Sequence, residues 1–283
     1  MHPVLFRIGP LEVPGYGVMA ALGIVAATLL AGLLARRRGI GIDFVLDAVF
    51  WAVLAGFAGA RASYMAVAWR ETLADPIGTL LNPGGGIYLA GLAGGGAALA
   101  VVCRAHKVPL AAAADLIAPA VALAHAFGRV GCHLAGCCYG RVAAGAMEWC
   151  AVRYPHITNA SGQSAESWPF LDHLSRHLVT QAESHSLPVY PVQLVEAGAN
   201  LVLCCVLVAY WRAKPREGSV ALLYLAVYAI ARFGLEFLRG DAARGVFAGL
   251  SLSQWLSLGA LFAAAGLWLR LRARPPQPGA LPG

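Results

Sequence analysis

The sequence predicts an all-α integral membrane protein, and its composition provides most of the support for that prediction. Of the 283 residues, 59% are hydrophobic and only 12% are charged, and the mean hydropathy is +0.67. Several apolar stretches continue for about 20 residues, which is the length a helix needs to cross a bilayer. A soluble domain of this size instead shows polar residues at helical or strand periods. Both observations favour membrane-spanning helices over a water-soluble core.

The apolar stretches define about seven candidate membrane helices. Each can cross the hydrocarbon layer as a helix, and none shows the alternating pattern of a barrel strand. We expect the first span to be retained, because its basic cluster follows the apolar run and a signal peptide has the cluster in front. The predicted spans are 17–35, 47–68, 87–103, 110–134, 189–211, 218–238 and 252–269.

Basic residues group on alternate connections between these spans. Under the positive-inside rule, this grouping predicts that the N-terminus lies outside and the C-terminus lies in the cytoplasm. The net charge of +7 then follows from topology and an anionic membrane surface, and it indicates no nucleic-acid partner. The grouped residues are Arg36, Arg37, Arg38, Arg104, Lys107, Arg212, Lys214, Arg216, Arg270, Arg272 and Arg274.

Two segments outside the spans differ from short loops. Residues 139–188 contain Trp149, Trp168 and several prolines and histidines, which predicts a small external cap segment. Residues 275–283 are rich in proline and glycine and are predicted to be disordered. The chain is therefore expected to form one membrane-embedded domain over residues 1–274.

The stretch HAFGRVGCHLAGCCYG, residues 125–140, places an arginine inside a predicted span. A guanidinium at the bilayer centre costs about 2.5–3.5 kcal/mol on insertion scales, so Arg129 should face a protein interior and meet an anion. Residues three and four positions apart share a helix face. His125, Cys132 and His133 are therefore predicted to lie on the same stripe as Arg129.

The sixth span holds a second set of charges. Arg232 and Glu236 are four residues apart, and Arg239 follows one turn later. A structural ion pair between Arg232 and Glu236 is one interpretation. The other interpretation starts from charge, because the intramembrane arginines, Arg129 among them, outnumber this one glutamate. A phosphate group of a lipid could neutralise the excess charge through bidentate hydrogen bonds.

Seven cysteines are present, and four of them lie close together in the sequence, at the end of the fourth span and just after it. Cys132, Cys137 and Cys138, with two nearby histidines, raise the alternative of a metal site. Their spacing matches no two-residue zinc knuckle, so packing is the simpler interpretation, and neither a metal nor a cofactor is expected. A disulfide involving Cys150 is a further alternative.

Short sequence blocks with a recognisable pattern extend over nearly the whole chain. Around Arg129 these are GRVG at 128–131 and GCCYGRV at 136–142. The others are YGVM at 16–19, GARASY at 59–64, the glycine-rich stretch 84–96, DLIAP at 115–119, YPVQLVE at 190–196, RFGLEFLRGD at 232–241 and SLSQWLS at 251–257. In this order, the blocks resemble the prolipoprotein diacylglyceryl transferase family.

The resemblance implies an enzyme of the bacterial inner membrane that moves the diacylglyceryl group of phosphatidylglycerol to the lipobox cysteine thiol of a prolipoprotein. Its partners are then phosphatidylglycerol, prolipoprotein signal peptides and the lipid bilayer. Carbon–oxygen cleavage releases a phosphate oxyanion, which fixed guanidiniums stabilise. By resemblance, Arg129 and Arg232 bind this phosphate, Glu236 orients Arg232 or assists proton transfer, and Tyr16 is catalytic.

Other residues receive supporting assignments from the same resemblance. His125 and His133 are candidate general bases because imidazole titrates near neutral pH, and the alternative for each is a hydrogen-bonded interior histidine. The candidates for binding the substrate or supporting its cavity are Arg61, Tyr64, Tyr88, Gly140, Gln193 and Arg239.

Three positions depart from the family pattern. Cys132 and Cys137 stand where the family signature has asparagine and glutamate, and Leu89 stands where the third span normally presents histidine or tyrosine. Two alternatives to the transferase therefore stay open. One is a diverged paralogue with a different lipid or thiol transfer reaction, and the other is a non-enzymatic lipid-binding protein or a thiol or metal transporter. The retained arginines and Glu236 favour an enzyme.

Overall fold

The computed structural model describes residues 4–9, 11–81, 86–156, 167–213, 216–240 and 246–273. Seven helices in these ranges are long and apolar enough to cross a membrane, which confirms the predicted spans; the short α3, α4 and α7 are not among them. The helices are α1 (Gly15–Arg37), α2 (Ile42–Val67), α3 (Trp69–Ala74), α4 (Pro76–Leu81), α5 (Tyr88–Ala105), α6 (Leu110–Ala135), α7 (Trp168–Ser175), α8 (Val192–Arg212), α9 (Ser219–Glu236) and α10 (Leu252–Ala273).

Two short antiparallel hairpins accompany the helices. The strands are β1 (Val4–Ile8), β2 (Leu11–Pro14), β3 (Val246–Phe247) and β4 (Leu250–Ser251). Basic residues occupy the last turns of α1, α5, α8 and α10, where they also complement the helix dipole. The orientation across the membrane stays a prediction, and the predicted tail lies outside the described residues.

The chain divides into two compact units. One unit comprises Met1–Ala27 and Ala118–Gly283, and the other comprises Thr28–Ile117. The boundaries fall inside α1 and α6. Of the residues that the sequence assigned to a site, Arg61, Tyr64 and Tyr88 belong to the second unit and the rest to the first. The single-domain organisation over 1–274 stays a prediction.

Within the second unit, α2 and α5 come very close together, and glycines permit this. A Cβ atom on Gly94 would lie 2.6 Å from the carbonyl oxygen of Ala55, and one on Gly59 would lie 2.9 Å from that of Ala90. In lipid, helices associate through close van der Waals packing, because the surrounding tails are as apolar as the side chains. These glycines are therefore required by the helix crossing.

In the first unit, α8 buries one stripe along its whole length. The buried positions recur at helical spacing and include three polar residues in the first half of the helix, Gln193, Glu196 and Asn200. Large apolar residues such as Leu201 and Val202 lie on its exposed side. This pattern is that of a membrane helix with lipid on one face and a polar protein interior on the other.

The described parts of the predicted cap, residues 139–156 and 167–188, are folded. Isolated β-bridges join Val142 and Val152 to Val189, which packs with Tyr139 and Tyr154 in a small core. Nearby, the Nδ1 atom of the buried His173 accepts a hydrogen bond from the Leu187 N–H at 3.2 Å, and burial lowers the pKa of this imidazole. Residues 157–166 of the cap lie outside the described residues.

We expect Gly94→Ala to destabilise the protein, because the added methyl group collides with the Ala55 carbonyl. Overpacking of this kind typically costs about 1–3 kcal/mol. Gly96 provides the matched control, since it lies on the same helix with open space around its Cβ position. Gly96→Ala should leave stability unchanged or raise it slightly through helix propensity. Thermal unfolding midpoints in detergent micelles measure both variants, and equal midpoints would contradict the close helix crossing.

Candidate active site

Arg129 does meet an anion, and that anion is a glutamate. Its Nη2 atom lies 3.0 Å from Oε1 of Glu196, and both side chains are largely buried. Its Nε atom donates a hydrogen bond to Nε2 of His125 at 3.2 Å, and the same histidine nitrogen lies 3.7 Å from Glu196. Because Nε2 of His125 accepts this bond, we assign the proton of a neutral ring to Nδ1. Helices α6 and α8 are thereby joined by a buried polar triad.

Glu196 is the principal residue that the sequence interpretation missed. Counting a single glutamate against the intramembrane arginines was wrong, because α8 contributes a second carboxylate that is only 2% exposed. The signal was present, since an ionisable residue inside a predicted span is a functional candidate by default. Glu196 closes the YPVQLVE block and falls on the buried stripe of α8 with Gln193.

Arg232 and Glu236 form the ion pair that their spacing allowed. Nη2 of Arg232 lies 2.7 Å from Oε2 of Glu236, and each side chain is 9% exposed. Nη1 of Arg232 is buried and has no hydrogen-bond partner among the described residues. The His125 ring packs at a tilt against the Tyr228 ring, with 5.1 Å between the ring centroids, and Tyr228 lies one turn before Arg232 on α9. His125 is also within electrostatic range of both Arg129 and Arg232. The two ion pairs therefore lie in one neighbourhood.

Tyr16 lies at the start of α1 beside this neighbourhood. Gly131 of α6 permits the approach, because a Cβ atom there would lie 3.1 Å from the Tyr16 ring and 3.2 Å from Met19. The tyrosine is about half exposed at 48%, and it lies within electrostatic range of Arg129. The structure thus places Tyr16 next to α6, close to Arg129, and leaves about half of its side chain exposed.

Gln193 and Tyr154 connect the membrane helices to the cap. The Nε2 amide of Gln193 donates to the Cys137 carbonyl at 2.7 Å and to the Tyr154 hydroxyl at 3.1 Å. That hydroxyl also lies 3.1 Å from Nδ1 of His133. Burial raises the pKa of Tyr154 to about 12, so its hydroxyl keeps its proton at neutral pH. Gln193 therefore holds the segment after α6 in place, and His133 has the interior hydrogen bond that its alternative interpretation predicted.

Gly140 and Gly240 lie where two backbone segments cross. A Cβ atom on Gly140 would lie 2.5 Å from the Tyr190 carbonyl oxygen, and one on Gly240 would lie 2.5 Å from the Gly140 carbonyl oxygen. Gly140 also forms a β-bridge with Arg239. The crossing accounts for both glycines through packing, and it fixes Arg239 beside the end of α6.

Helix α6 ends in a Schellman motif. The Cys137 N–H donates to the Cys132 carbonyl at 3.1 Å, the Gly136 N–H donates to the His133 carbonyl at 3.3 Å, and Gly136 has a φ of 71°. In this motif the residue two positions beyond the helix end commonly packs on a residue of the last turn. The motif therefore brings the side chains of Cys137 and Cys132 together.

Cys138 completes a group of three sulfurs. The Sγ atoms of Cys132, Cys137 and Cys138 all lie within 4.8 Å of one another, and no disulfide joins them. Cys138 has a φ of 58°, a left-handed conformation that costs a non-glycine residue about 1–3 kcal/mol. Hydrogen bonds from the other two thiols, followed by the Arg239 guanidinium, lower the pKa of Cys138 well below its usual range. Spacing along one helix did not predict this cluster, because the turn at Gly136 creates it.

Two predicted substrate-binding residues are described within the second unit. Arg61 is buried in α2, and its guanidinium lies over the Phe57 ring at 5.6 Å. Tyr88 begins α5 and is 76% exposed. Their assignment to the substrate stays a prediction.

Comparison with known proteins gives a consistent result over almost the whole chain. The family model of prolipoprotein diacylglyceryl transferase matches residues 3–270. A phosphatidylglycerol–prolipoprotein diacylglyceryl transferase from Clostridium tetani is 32% identical over 91% of this chain and 93% of its own length. A second from Clostridium perfringens is 31% identical over 91% of each chain. One from Synechococcus elongatus is 28% identical over 94% of this chain and 87% of its own.

The match includes both buried ion pairs, the whole of α1, α2, α5, α6, α8 and α9, and α10 as far as residue 270, so it includes the elements that build the candidate site. A family model extending over more than half of a chain, together with full-length relatives above 30% identity, establishes membership. This chain belongs to the prolipoprotein diacylglyceryl transferase family.

Proposed function

We propose that this multi-pass membrane protein transfers the diacylglyceryl group of phosphatidylglycerol to the cysteine thiol of a prolipoprotein, the first lipid attachment in lipoprotein biosynthesis. The observation that carries the proposal is the pair of buried arginines, Arg129 and Arg232, each held by a carboxylate within helices long enough to span a membrane. The related proteins bear this activity in their names. The enzyme is accordingly a transferase.

The reaction breaks one carbon–oxygen bond and forms one carbon–sulfur bond. The thiol sulfur attacks the glyceryl carbon that is esterified to phosphate, and the phosphate oxygen leaves with the bonding electron pair. Glycerol phosphate is the second product, and the thiol proton passes to a base or to water. No redox change occurs. Negative charge therefore grows on the phosphate in the transition state, where preorganised donors in a water-poor site act most strongly.

Arg232 is the stronger candidate for a direct phosphate donor. Its Nη2 is engaged by Glu236, and its buried Nη1 has no hydrogen-bond partner among the described residues, so the two N–H groups of Nη1 can donate to a ligand. Arg129 adds a second guanidinium, which Glu196 and His125 hold in position. In this arrangement the carboxylates orient the guanidiniums and do not themselves bind the anion.

The remaining site residues take supporting roles in this proposal. His125 uses Nε2 to accept the Arg129 bond, which makes it a positioning residue for that guanidinium. Tyr16 offers a hydroxyl at the accessible edge of the site. Gln193, Gly140 and Arg239 position the segment after α6.

The substrates also suggest a location. Phosphatidylglycerol is a membrane lipid, and a prolipoprotein presents its cysteine next to an apolar signal peptide, so both arrive through the bilayer. We place the protein in the bacterial inner (plasma) membrane for this reason. The exposed apolar faces of the seven helices contact the lipid there.

Replacing Arg232 by glutamine should abolish transfer while the protein remains inserted. Loss of one oxyanion donor typically lowers kcat by about 10²–10³-fold, and this substitution also leaves Glu236 unpaired. Arg176→Gln is the matched control, because Arg176 is 43% exposed and its pair with Asp172 is a surface ion pair of small energetic value. Transfer is measured in membranes by lipid labelling of a prolipoprotein substrate, normalised to protein level. Full activity of Arg232→Gln would refute the phosphate role.

The Arg129–Glu196 pair should show strong coupling in a double-mutant cycle. Glu196→Gln leaves a buried guanidinium uncompensated, and breaking one side of a buried pair commonly costs about 3–5 kcal/mol. In the Arg129→Gln background the same substitution should cost much less, because no charge is left to neutralise. Unfolding midpoints in micelles measure the four proteins. Additive effects would show that the two side chains act independently, and Glu183→Gln, at an exposed position, serves as the control.

A further inference from the structure

The three sulfurs at the end of α6 form a cluster that the transfer reaction leaves without a role. Cys132 is in the last turn of the helix, and Cys137 and Cys138 follow the Schellman turn. All three residues are partly buried, and their sulfurs lie within 4.8 Å of one another. Among the described residues, these are the only three metal-ligating side chains that come together so closely.

We propose that Cys132, Cys137 and Cys138 bind one thiophilic divalent cation of the zinc class through their three sulfurs. Zinc–thiolate bonds are about 2.3 Å long, which requires sulfurs about 3.8–4.0 Å apart in trigonal or tetrahedral geometry. Separations of at most 4.8 Å need only small side-chain adjustments to reach this spacing. Sulfur ligands select soft and borderline ions, whereas magnesium and calcium require oxygen.

The backbone around the cluster is fixed before any ion binds. Gln193 donates to the Cys137 carbonyl at 2.7 Å, and the Cys137 N–H donates to the Cys132 carbonyl at 3.1 Å. Cys138 is held in a left-handed conformation that a non-glycine residue rarely adopts. Preorganised ligands lose little freedom on binding, so this turn is suited to hold an ion.

Charge favours a divalent ion over a monovalent one. Three thiolates carry three negative charges, and a divalent ion reduces the total to one. Arg239 is held beside the end of α6 by its β-bridge with Gly140, and Arg129 lies three residues before Cys132 on α6. One residual negative charge beside these guanidiniums is readily compensated, whereas a monovalent copper ion leaves two. Hydrogen bonds to ligating sulfurs are a common way in which proteins tune such sites.

Three protein ligands leave a fourth coordination position exchangeable, as in catalytic zinc sites. Nδ1 of His133, the nearest imidazole in sequence, is engaged by the Tyr154 hydroxyl at 3.1 Å. On the proposed function, the acceptor of the lipid is itself a thiol. A thiol that binds the ion at this position gives its proton to water, and its sulfur then attacks the glyceryl carbon as the carbon–oxygen bond to phosphate breaks. The ion keeps its oxidation state throughout.

Metal binding is tested on the purified full-length chain in detergent, without lipid or prolipoprotein. The reduced protein is stripped with a chelator and titrated with Zn²⁺ against a chromophoric chelator, and with Co²⁺ as a spectroscopic probe. We expect one ion per chain and a thiolate-to-cobalt charge-transfer band. The site would be overturned if the cobalt-loaded protein showed no charge-transfer band or if the reduced protein retained no zinc. It would also be overturned if two of the sulfurs formed a disulfide and the protein took up no metal after that disulfide was reduced.

Variants identify the ligands. Substituting a residue that only hydrogen-bonds to a metal ligand typically weakens metal affinity about 10–100-fold, so the loss of a ligand in Cys137→Ser or Cys138→Ala should weaken it by at least about tenfold. Cys205→Ser is the matched control, because Cys205 is an exposed cysteine on α8, and it should bind zinc like the wild type. Unfolding midpoints of the metal-free proteins separate lost ligation from lost folding. Unchanged affinity in both cluster variants would refute the assignment.

The role toward the substrate thiol is tested separately from binding. Transfer by stripped protein should fall and recover on adding Zn²⁺. Equal transfer rates for the stripped and the reloaded protein would refute the proposal that the ion binds the substrate thiol during transfer. No transfer by either form of the wild type would refute the proposed function, while the measured stoichiometry and charge-transfer band would still support the metal site.

Discussion

The compensation of buried charge inside a membrane protein is the constraint on which this structure depends. Each guanidinium in a membrane helix needs a nearby anion, because uncompensated charge in a low-dielectric medium carries a large free-energy cost. Arg129 on α6 pairs with Glu196 on α8, and Arg232 pairs with Glu236 within α9. The first pair ties two helices together, whereas the second is local, and Nη1 of Arg232 has no hydrogen-bond partner within the described part of the chain. These two arginines are thus neutralised by carboxylates, and the proposed phosphate binding relies on the Nη1 atom of Arg232.

Close backbone approaches provide the second requirement, since polar side chains can be positioned only if their helices and loops are rigid. Gly131 lets α1 approach α6 beside Arg129, and Gly140 and Gly240 let the segment after α6 cross two other segments. Gln193 adds hydrogen bonds from α8 to that same segment. The result is a polar interior whose parts come from distant positions in the sequence and are held by main-chain contacts.

The seven helices could be predicted because a bilayer imposes a length and a composition on each span, and the errors were local. α2 begins at Ile42 and not at 47, because Asp43 and Asp47 interrupt the apolar run without interrupting the helix. α8 begins only after Pro191, because Val189 pairs with the cap. The arginines were visible as charges within apolar runs. The spacing also offered Glu236 as the partner of Arg232. The partner of Arg129 was missed, since choosing Glu196 requires knowing which face of α8 is buried.

The three clustered cysteines arise from one turn of the backbone, and they change the chemistry available at the end of α6. By resemblance, Cys137 occupies the position of a signature glutamate, so a carboxylate is missing near the end of α6. Arg239 nevertheless lies near this segment, where its β-bridge with Gly140 holds it. A carboxylate in that position offers oxygen ligands, which hard ions prefer, whereas three grouped sulfurs favour soft and borderline ions. The turn at Gly136 therefore explains why three sulfurs that are separated in the sequence lie together.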